Sequence, residues 1–206
     1  MILREKYLNK LIDSKDTEFI KVITGVRRSG KSTLLLMYKD YLLNNGVDEK
    51  NIIHINFESA IYDDIKDYKD LYKKIKDTLS KGKNYILLDE VQNVDKWEKA
   101  INSLNIDFDV DIYITGSNAY LLSSELATLL SGRYIEIKMY TLSFNEYLKF
   151  NNYDKTNIEE KFNEYLKNGG LPAITHIKEK QDLVIEIKIV IIKFMKQNGM
   201  VGLVIN

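Results

Sequence analysis

Gly25-Val26-Arg27-Arg28-Ser29-Gly30-Lys31-Ser32 satisfies the spacing G-x-x-x-x-G-K-[S/T] at every fixed position. Before it, Phe19 to Thr24 is an apolar run of strand length; after it, Ser32 to Asn44 reads as a helix closed by an Asn45-Gly46 cap. Strand, glycine-bearing loop and helix in that order form a cradle for phosphate. Glycines let the backbone wrap closely around phosphate oxygens, and successive N–H groups point inward as an anion nest. The helix start adds its unsatisfied N–H groups and the positive end of its dipole. Lys31 places a mobile positive charge at the β and γ phosphates, Ser32 supplies a hard oxygen suited to Mg²⁺, and Thr33 lies near the α phosphate. The candidate nucleotide-binding residues are Gly25, Val26, Arg27, Arg28, Ser29, Gly30, Lys31, Ser32 and Thr33. Arg27 and Arg28 occupy variable positions of the pattern, so their side chains reach nucleotide, a partner or only water.

Downstream, Tyr85-Ile86-Leu87-Leu88 is an apolar run that ends in Asp89-Glu90. Ligands of parallel sheets bind at the carboxyl ends of strands. Asp89 is therefore read, with Ser32, as a Mg²⁺ ligand acting through a water, and Glu90 as the acid that orients and polarises an attacking water. The alternative is that both acids merely end a strand at the solvent. No Asn-Lys-x-Asp follows the loop, so the expected nucleotide is ATP rather than a guanine nucleotide. Thr115-Gly116-Ser117-Asn118 offers hydroxyl and amide groups at another strand end, either as a third element of the site or as a simple turn. Arg133 precedes a further strand. An arginine there stabilises phosphoryl charge in its own site or a neighbour's, the latter implying a homo-oligomer; a solvated arginine at a helix end is the alternative.

The whole chain sets limits on this reading. Its 206 residues suffice for one full core and an appendage, and its 30 basic and 30 acidic side chains leave no global positive field for nucleic acid or lipid. A local basic groove is still compatible with that balance. There is no cysteine, hence no disulfide or thiolate metal site, which suits the cytoplasm. His54 and His176 have no ligand pattern around them and read as structural. Met1 to Ile12 is broken by Arg4, Glu5, Lys6 and Lys10, so it reads as an amphipathic helix through Tyr7, Leu8, Leu11 and Ile12 rather than as a secretory signal. Leu183 to Met195 is interrupted by Glu186, Lys188 and Lys193 and falls short of the ~20 residues of a membrane span.

Strand-length apolar runs alternate with helical periods, which predicts an α/β fold with a parallel sheet. The strands are Phe19–Thr24, Ile52–Phe57, Tyr85–Leu88, Asp111–Thr115 and Tyr134–Lys138, each expected to be buried on both faces. Tyr68, Leu71, Tyr72, Ile75 and Leu79 share one helical stripe, and Trp97, Ala100, Ile101 and Leu104 share another. The tyrosines and Trp97 read as core and core edge. From residue 140 the period changes: Ser143 and Glu146 form a capping box, and a helix over Ile158–Lys167 ends at Gly169-Gly170 before Pro172. Residues 1–139 are expected to form one domain, and residues 140–206 a helical segment that is an incomplete second domain.

With these residues identified, the chain resembles prokaryotic AAA-type ATPases of the STAND and AAA+ branch of P-loop proteins, over residues 4–175. The resemblance rests on Ile23 through Ser32, on Leu88-Asp89-Glu90-Val91-Gln92 followed by Trp97, and on Ile114 through Asn118. Ser131-Gly132-Arg133-Tyr134, Leu142 through Tyr147 and Gly169-Gly170-Leu171-Pro172 extend it. It implies a three-layer P-loop NTPase fold with five parallel strands in the order 5-1-4-3-2, and Mg-dependent ATP hydrolysis. It makes Ser117 or Asn118 a sensor and Arg133 an arginine finger or sensor, beside Glu90 and Lys31 as catalytic groups. Such proteins usually continue past the Gly-Gly-x-Pro segment into a C-terminal domain of unknown function, sometimes likened to nucleases. Val184–Asn206 does not resemble that continuation, so a truncated or frameshifted reading frame is expected. An ATP-dependent switch with little turnover competes with the hydrolase reading, and a small-molecule kinase is disfavoured by the lack of an acceptor or lid motif. Any protein or nucleic-acid partner is left unidentified by these residues.

Overall fold

The computed structural model describes residues 4–116, 128–130, 132–154 and 156–172, divided into two units between Tyr140 and Thr141. In the first unit α1 (Glu5–Asp13) leads to β1 (Ile20–Gly25), α2 (Lys31–Asn44), β2 (Ile52–Asn56) and α3 (Tyr68–Thr78). After these come β3 (Asn84–Asp89), α4 (Trp97–Asp107), β4 (Val110–Thr115) and β5 (Tyr134–Met139). All the strand pairs are parallel, in the order β2-β3-β4-β1-β5. This is the expected 5-1-4-3-2 order read from the other edge. Among the described residues no helix is long and apolar enough to cross a membrane.

The two-residue period of the strands sorts side chains between two apolar layers. Val22, Ile86, Leu88, Ile112 and Ile114 pack with Leu71 and Ile75 of α3 and with Ala100, Ile101 and Leu104 of α4. On the other face Ile23, Leu87, Tyr113 and Ile137 pack with Tyr7, Leu8 and Leu11 of α1 and with Leu34, Leu35, Tyr38 and Leu42 of α2. Helix boundaries have local causes. An Asp67/Asp70 capping box opens α3, and Gly46 at φ 85° follows the end of α2, as its Asn-Gly signature predicts.

β4 shows the period most sharply, because its two faces differ in chemistry. Val110, Ile112 and Ile114 face the α3/α4 layer, whereas Asp111, Tyr113 and Thr115 fall on the alternate positions. The lower part of this polar file is closed by a buried network. Lys21 Nζ lies 2.5 Å from Asp111 Oδ1, with both side chains wholly inaccessible. Tyr113 donates its hydroxyl to Asp111 Oδ2 at 2.9 Å, so Tyr38, 2.5 Å away, must donate to Tyr113. Burial lowers the Lys21 pKa, against the pull of Asp111, and burial raises the two tyrosine pKa values. The network ties α2 to the sheet at a depth where either charge alone would be untenable.

β5 departs from the expectation of two buried faces. It is an edge strand: Ile137 and Met139 are buried, while Glu136 and Lys138 are exposed. Charge on an edge strand discourages pairing with another chain. β2, at the other edge, likewise leaves His54 and Asn56 half-buried.

In the second unit α5 (Phe144–Phe150) and α6 (Ile158–Asn168) meet through aromatic rings. Phe144 and Phe162 lie 5.0 Å apart, and Tyr147 and Tyr165 lie 5.2 Å apart, between ring centroids. The Ser143/Glu146 capping box is formed, with Ser143 N donating to Glu146 Oε2 at 2.8 Å. α6 ends at Gly169, φ 78°. Leu142 N donates to Gly170 O at 2.6 Å, and a Cβ on Gly170 would stand 2.3 Å from Leu142 O, which explains why glycine follows glycine there. His176 and Val184–Asn206 lie outside the described residues.

Asp111→Asn is expected to destabilise the first unit by about 3–5 kcal/mol, because it leaves the buried Lys21 ammonium without its counter-charge. Urea unfolding followed by the fluorescence of Trp97, the single tryptophan and a residue of this core, measures it.

Candidate functional site

The carboxyl ends of β1, β3 and β4 converge because parallel strands in register end on the same edge, with Ile23 opposite Thr115 and Leu88 opposite Ile114. The loop between β1 and α2 leaves β1 there. Two residues set its path. Gly25 passes so close to β5 that a Cβ would stand 2.4 Å from Met139 O, so backbone excludes any side chain. Gly30, φ 97°, takes the left-handed conformation as N-cap of α2, a conformation that costs glycine nothing. Between them Arg28 is also left-handed, φ 65°, and Ser29 N donates to Val26 O at 3.2 Å. Val26, Arg27, Arg28 and Thr33 are exposed, Ser32 is half-buried, and Ser29 and Lys31 are buried. Arg27 reaches Glu58 at 3.6 Å, an exposed pair of little energetic consequence.

Lys31 at the head of α2 turns its ammonium back into the loop. Nζ lies 3.4 Å from Gly25 O and 3.4 Å from Glu90 Oε1. Thus the loop cation and the second acid of the Asp89-Glu90 pair meet, as a shared site requires. Glu90 adopts a left-handed backbone, φ 55° and ψ 49°, immediately after β3. For a non-glycine residue this conformation costs on the order of 1 kcal/mol, and it turns the chain sharply at the strand end. Gln92 Nε2 donates to the other carboxylate oxygen, Oε2, at 2.5 Å.

Asp89 is only 1% exposed, so a carboxylate sits inside the fold. Thr115 accounts for it: its hydroxyl donates to Asp89 Oδ1 and accepts from Glu90 N at 3.0 Å. One threonine therefore holds both acids. The buried Asp89 carboxylate and the half-buried Ser32 hydroxyl at the start of α2 are hard oxygen donors, the donor type that suits Mg²⁺. His54, on β2 and half-buried, has its pKa lowered by burial and by Lys39, with the field of Asp89 opposing.

Lys31, Asp89, Glu90 and the loop are thus brought together. Arg133 is not. Its carbonyl accepts from Ile20 N at 3.0 Å at the start of β1, whereas the loop follows Gly25 at the other end. The length of β1, roughly 17 Å at the usual rise, separates its backbone from the loop. Ser117 and Asn118 lie outside the described residues. The sequence alone assigns no role to Gln92 and leaves Thr115 in a segment that is either a third element of the site or a simple turn. The legible signal for Thr115 was the alternation of β4, which puts Asp111, Tyr113 and Thr115 on one face.

Residues 17–148 match the family model described as AAA domain. The chain belongs to the AAA domain family. An uncharacterized protein of Haemophilus influenzae is 51% identical over 183 residues, spanning 87% of this chain and 46% of that protein. A second uncharacterized protein, from Methanocaldococcus jannaschii, is 38% identical over 181 residues, spanning 83% and 38%. The chain therefore spans less than half the length of these curated relatives. Among solved structures the AAA domain is similar to a Walker-type ATPase of Pyrococcus abyssi (TM-score 0.62, 16% identity, 96% of this chain and 76% of that one). It is also similar to AMPPCP-bound DnaA of Aquifex aeolicus (TM-score 0.52, 17% identity, 98% and 65%). At such identities the likeness is one of fold, that of AAA+ P-loop NTPases, and the fold is consistent with nucleotide binding.

Thr115→Val keeps the shape of the side chain but strips Asp89 and the Glu90 N–H of their shared partner. A loss of about 1–3 kcal/mol of stability is expected, readable as a lowered urea midpoint with an unchanged slope.

Proposed function

We propose that residues 1–139 bind Mg-ATP and hydrolyse it, with residues 140–206 as a helical part of a further domain. The observation that carries this reading is the meeting of Lys31, Glu90 and the Thr115-held Asp89 at one loop. Backbone N–H groups of residues 25–33 cradle the phosphates, and Lys31 neutralises the β and γ oxygens. Ser32 and Asp89 would hold Mg²⁺, which would supply charge neutralisation at the phosphates. Glu90 orients the attacking water and accepts its proton.

The ion pair of Lys31 with Glu90 bears on this chemistry. A γ phosphate offers the ammonium a more highly charged partner than a single carboxylate does. Lys31 then moves from Glu90 to phosphate and releases the acid for water. The same pair favours a second reading, a nucleotide-dependent switch of low turnover, in which Glu90 and Gln92 chiefly report the state of the site. Arg133 serves the site of a neighbouring copy, since the length of β1 lies between its backbone and its own loop.

Calorimetry should show Mg-ATP binding by the wild-type chain and a large loss of affinity in Lys31→Ala; equal affinities would remove the assignment. ATP should also raise the melting temperature in a Mg²⁺-dependent manner, and Asp89→Asn should suppress that Mg²⁺-dependent part.

Glu90→Gln separates the two readings. It is nearly isosteric and is expected to keep ATP binding while slowing steady-state phosphate release about 10²- to 10⁴-fold. A mutant that turns over as fast as the wild type would instead favour the switch.

A further inference from the structure

Arg4 precedes α1, where the sequence reads as the charged side of an amphipathic helix. The residue is instead buried, with 6% of its surface exposed. It occupies the N-cap position of α1, where the helix dipole disfavours a cation, and it makes no side-chain cap hydrogen bond. Arginines at such positions ordinarily extend to water. Contacts from distant parts of the first unit outweigh both local preferences. Arg4 Nη1 donates to Ser29 O at 3.2 Å and to Tyr140 O at 2.7 Å. The guanidinium lies 4.6 Å from the centroid of the Tyr7 ring, and the Tyr7 hydroxyl accepts from Tyr140 N at 3.1 Å.

Ser29 is a loop residue, and the geometry of its peptide gives this contact a consequence. The described peptides are all trans, so the Ser29 carbonyl and the Gly30 N–H point in opposite directions. A cation that holds the carbonyl behind the loop therefore turns the Gly30 N–H toward the opposite side, where the phosphate nest needs its donors. Gly30 is itself left-handed, φ 97°, and its Cβ position has only the flexible end of Met139 nearby, at 3.5 Å. Packing at Gly30 thus leaves the peptide room to rotate, and a tether on the carbonyl removes that freedom.

We propose that Arg4 is a positioning residue for the phosphate loop, fixing the Ser29–Gly30 peptide with its N–H toward the phosphates. The same guanidinium nitrogen grips the carbonyl of Tyr140, the last residue of the first unit. The proposal rests on the phosphate-binding reading of the loop, and its test includes a readout independent of nucleotide.

Three full-length variants test it: Arg4→Met, of similar length without donors; Arg4→Lys, with the charge but not the planar fork; and Tyr7→Phe, which loses the Tyr140 contact of the same helix and leaves Ser29 alone. Each is titrated with Mg-ATP well below its melting temperature. Hydrogen exchange of residues 29–35 is followed without nucleotide, relative to α3 as internal reference; Leu34 N, bonded to Gly30 O at 2.9 Å, reports the start of α2. Arg4→Met is expected to bind about 10- to 100-fold more weakly, the range for one hydrogen bond from a charged donor, and to exchange faster at residues 29–35 than at α3. Arg4→Lys should fall between, and Tyr7→Phe should match the wild type. Arg4→Met with a lowered melting temperature but wild-type affinity and wild-type relative exchange would overturn the proposal. Should Arg4→Met not fold, the same result in Arg4→Lys overturns it. A wild-type chain that binds no Mg-ATP would refute the nucleotide reading, and the exchange data would still decide the role of Arg4.

Discussion

The hydroxyl of Thr115 is the contact on which the arrangement of the acidic groups depends. Asp89 ends β3 inside the fold, where a carboxylate without hydrogen bonds is costly, and Thr115 on the adjacent strand supplies one of them. Because the same oxygen accepts the Glu90 N–H, the left-handed turn that follows β3 is pinned at its first residue. Glu90 is then presented toward Lys31 rather than continuing along the strand. All of this requires β3 and β4 to end at the same level, which parallel pairing in register enforces.

The polar file that ends at Thr115 runs the length of β4. Asp111 binds Lys21 at the start of the sheet, and Tyr113 meets Tyr38 of α2 in the middle. A file of buried polar groups is a poor source of net stability, since each must be desolvated. Its effect is specificity. The Tyr38–Tyr113 hydroxyl pair ties α2 to the sheet, the ion pair ties β1 to β4, and α2 carries Lys31 at its head. Apolar contacts alone, such as those of Leu34, Leu35 and Leu42, tolerate small displacements along the helix axis. Hydrogen bonds of defined length do not.

The AAA domain match, residues 17–148, covers the first unit from the residues before β1 onward and the opening of the second. Both relatives are more than twice as long as the portion shared with this chain. The second unit, as described, is an aromatic-packed helix pair closed by the Leu142–Gly170 contact.

Much of the fold was legible because its signals are local. An apolar run, a glycine pattern and a helical stripe each lie within a few residues, and strand starts, helix ends and the Ser143/Glu146 box were readable from them. The glycine-bearing loop between β1 and α2 and the Asp89-Glu90 pair at the end of β3 were legible for the same reason. The sequence by itself therefore determined the α/β class and the strand-loop-helix placement of residues 20–44, since backbone preference and side-chain chemistry act over short range. Strand order followed only from resemblance, and the exposed face of β5 was misread because apolar content alone does not tell an edge strand from a central one. Tertiary structure alone decided that Thr115 bridges Asp89 and Glu90, that Gln92 holds Glu90, that Arg133 lies at the far end of β1, and that Arg4 is buried against Ser29. Those contacts join residues at least 25 positions apart, Glu90 and Gln92 excepted, and no local preference encodes them. They exist only once the sheet has fixed which strand ends share an edge.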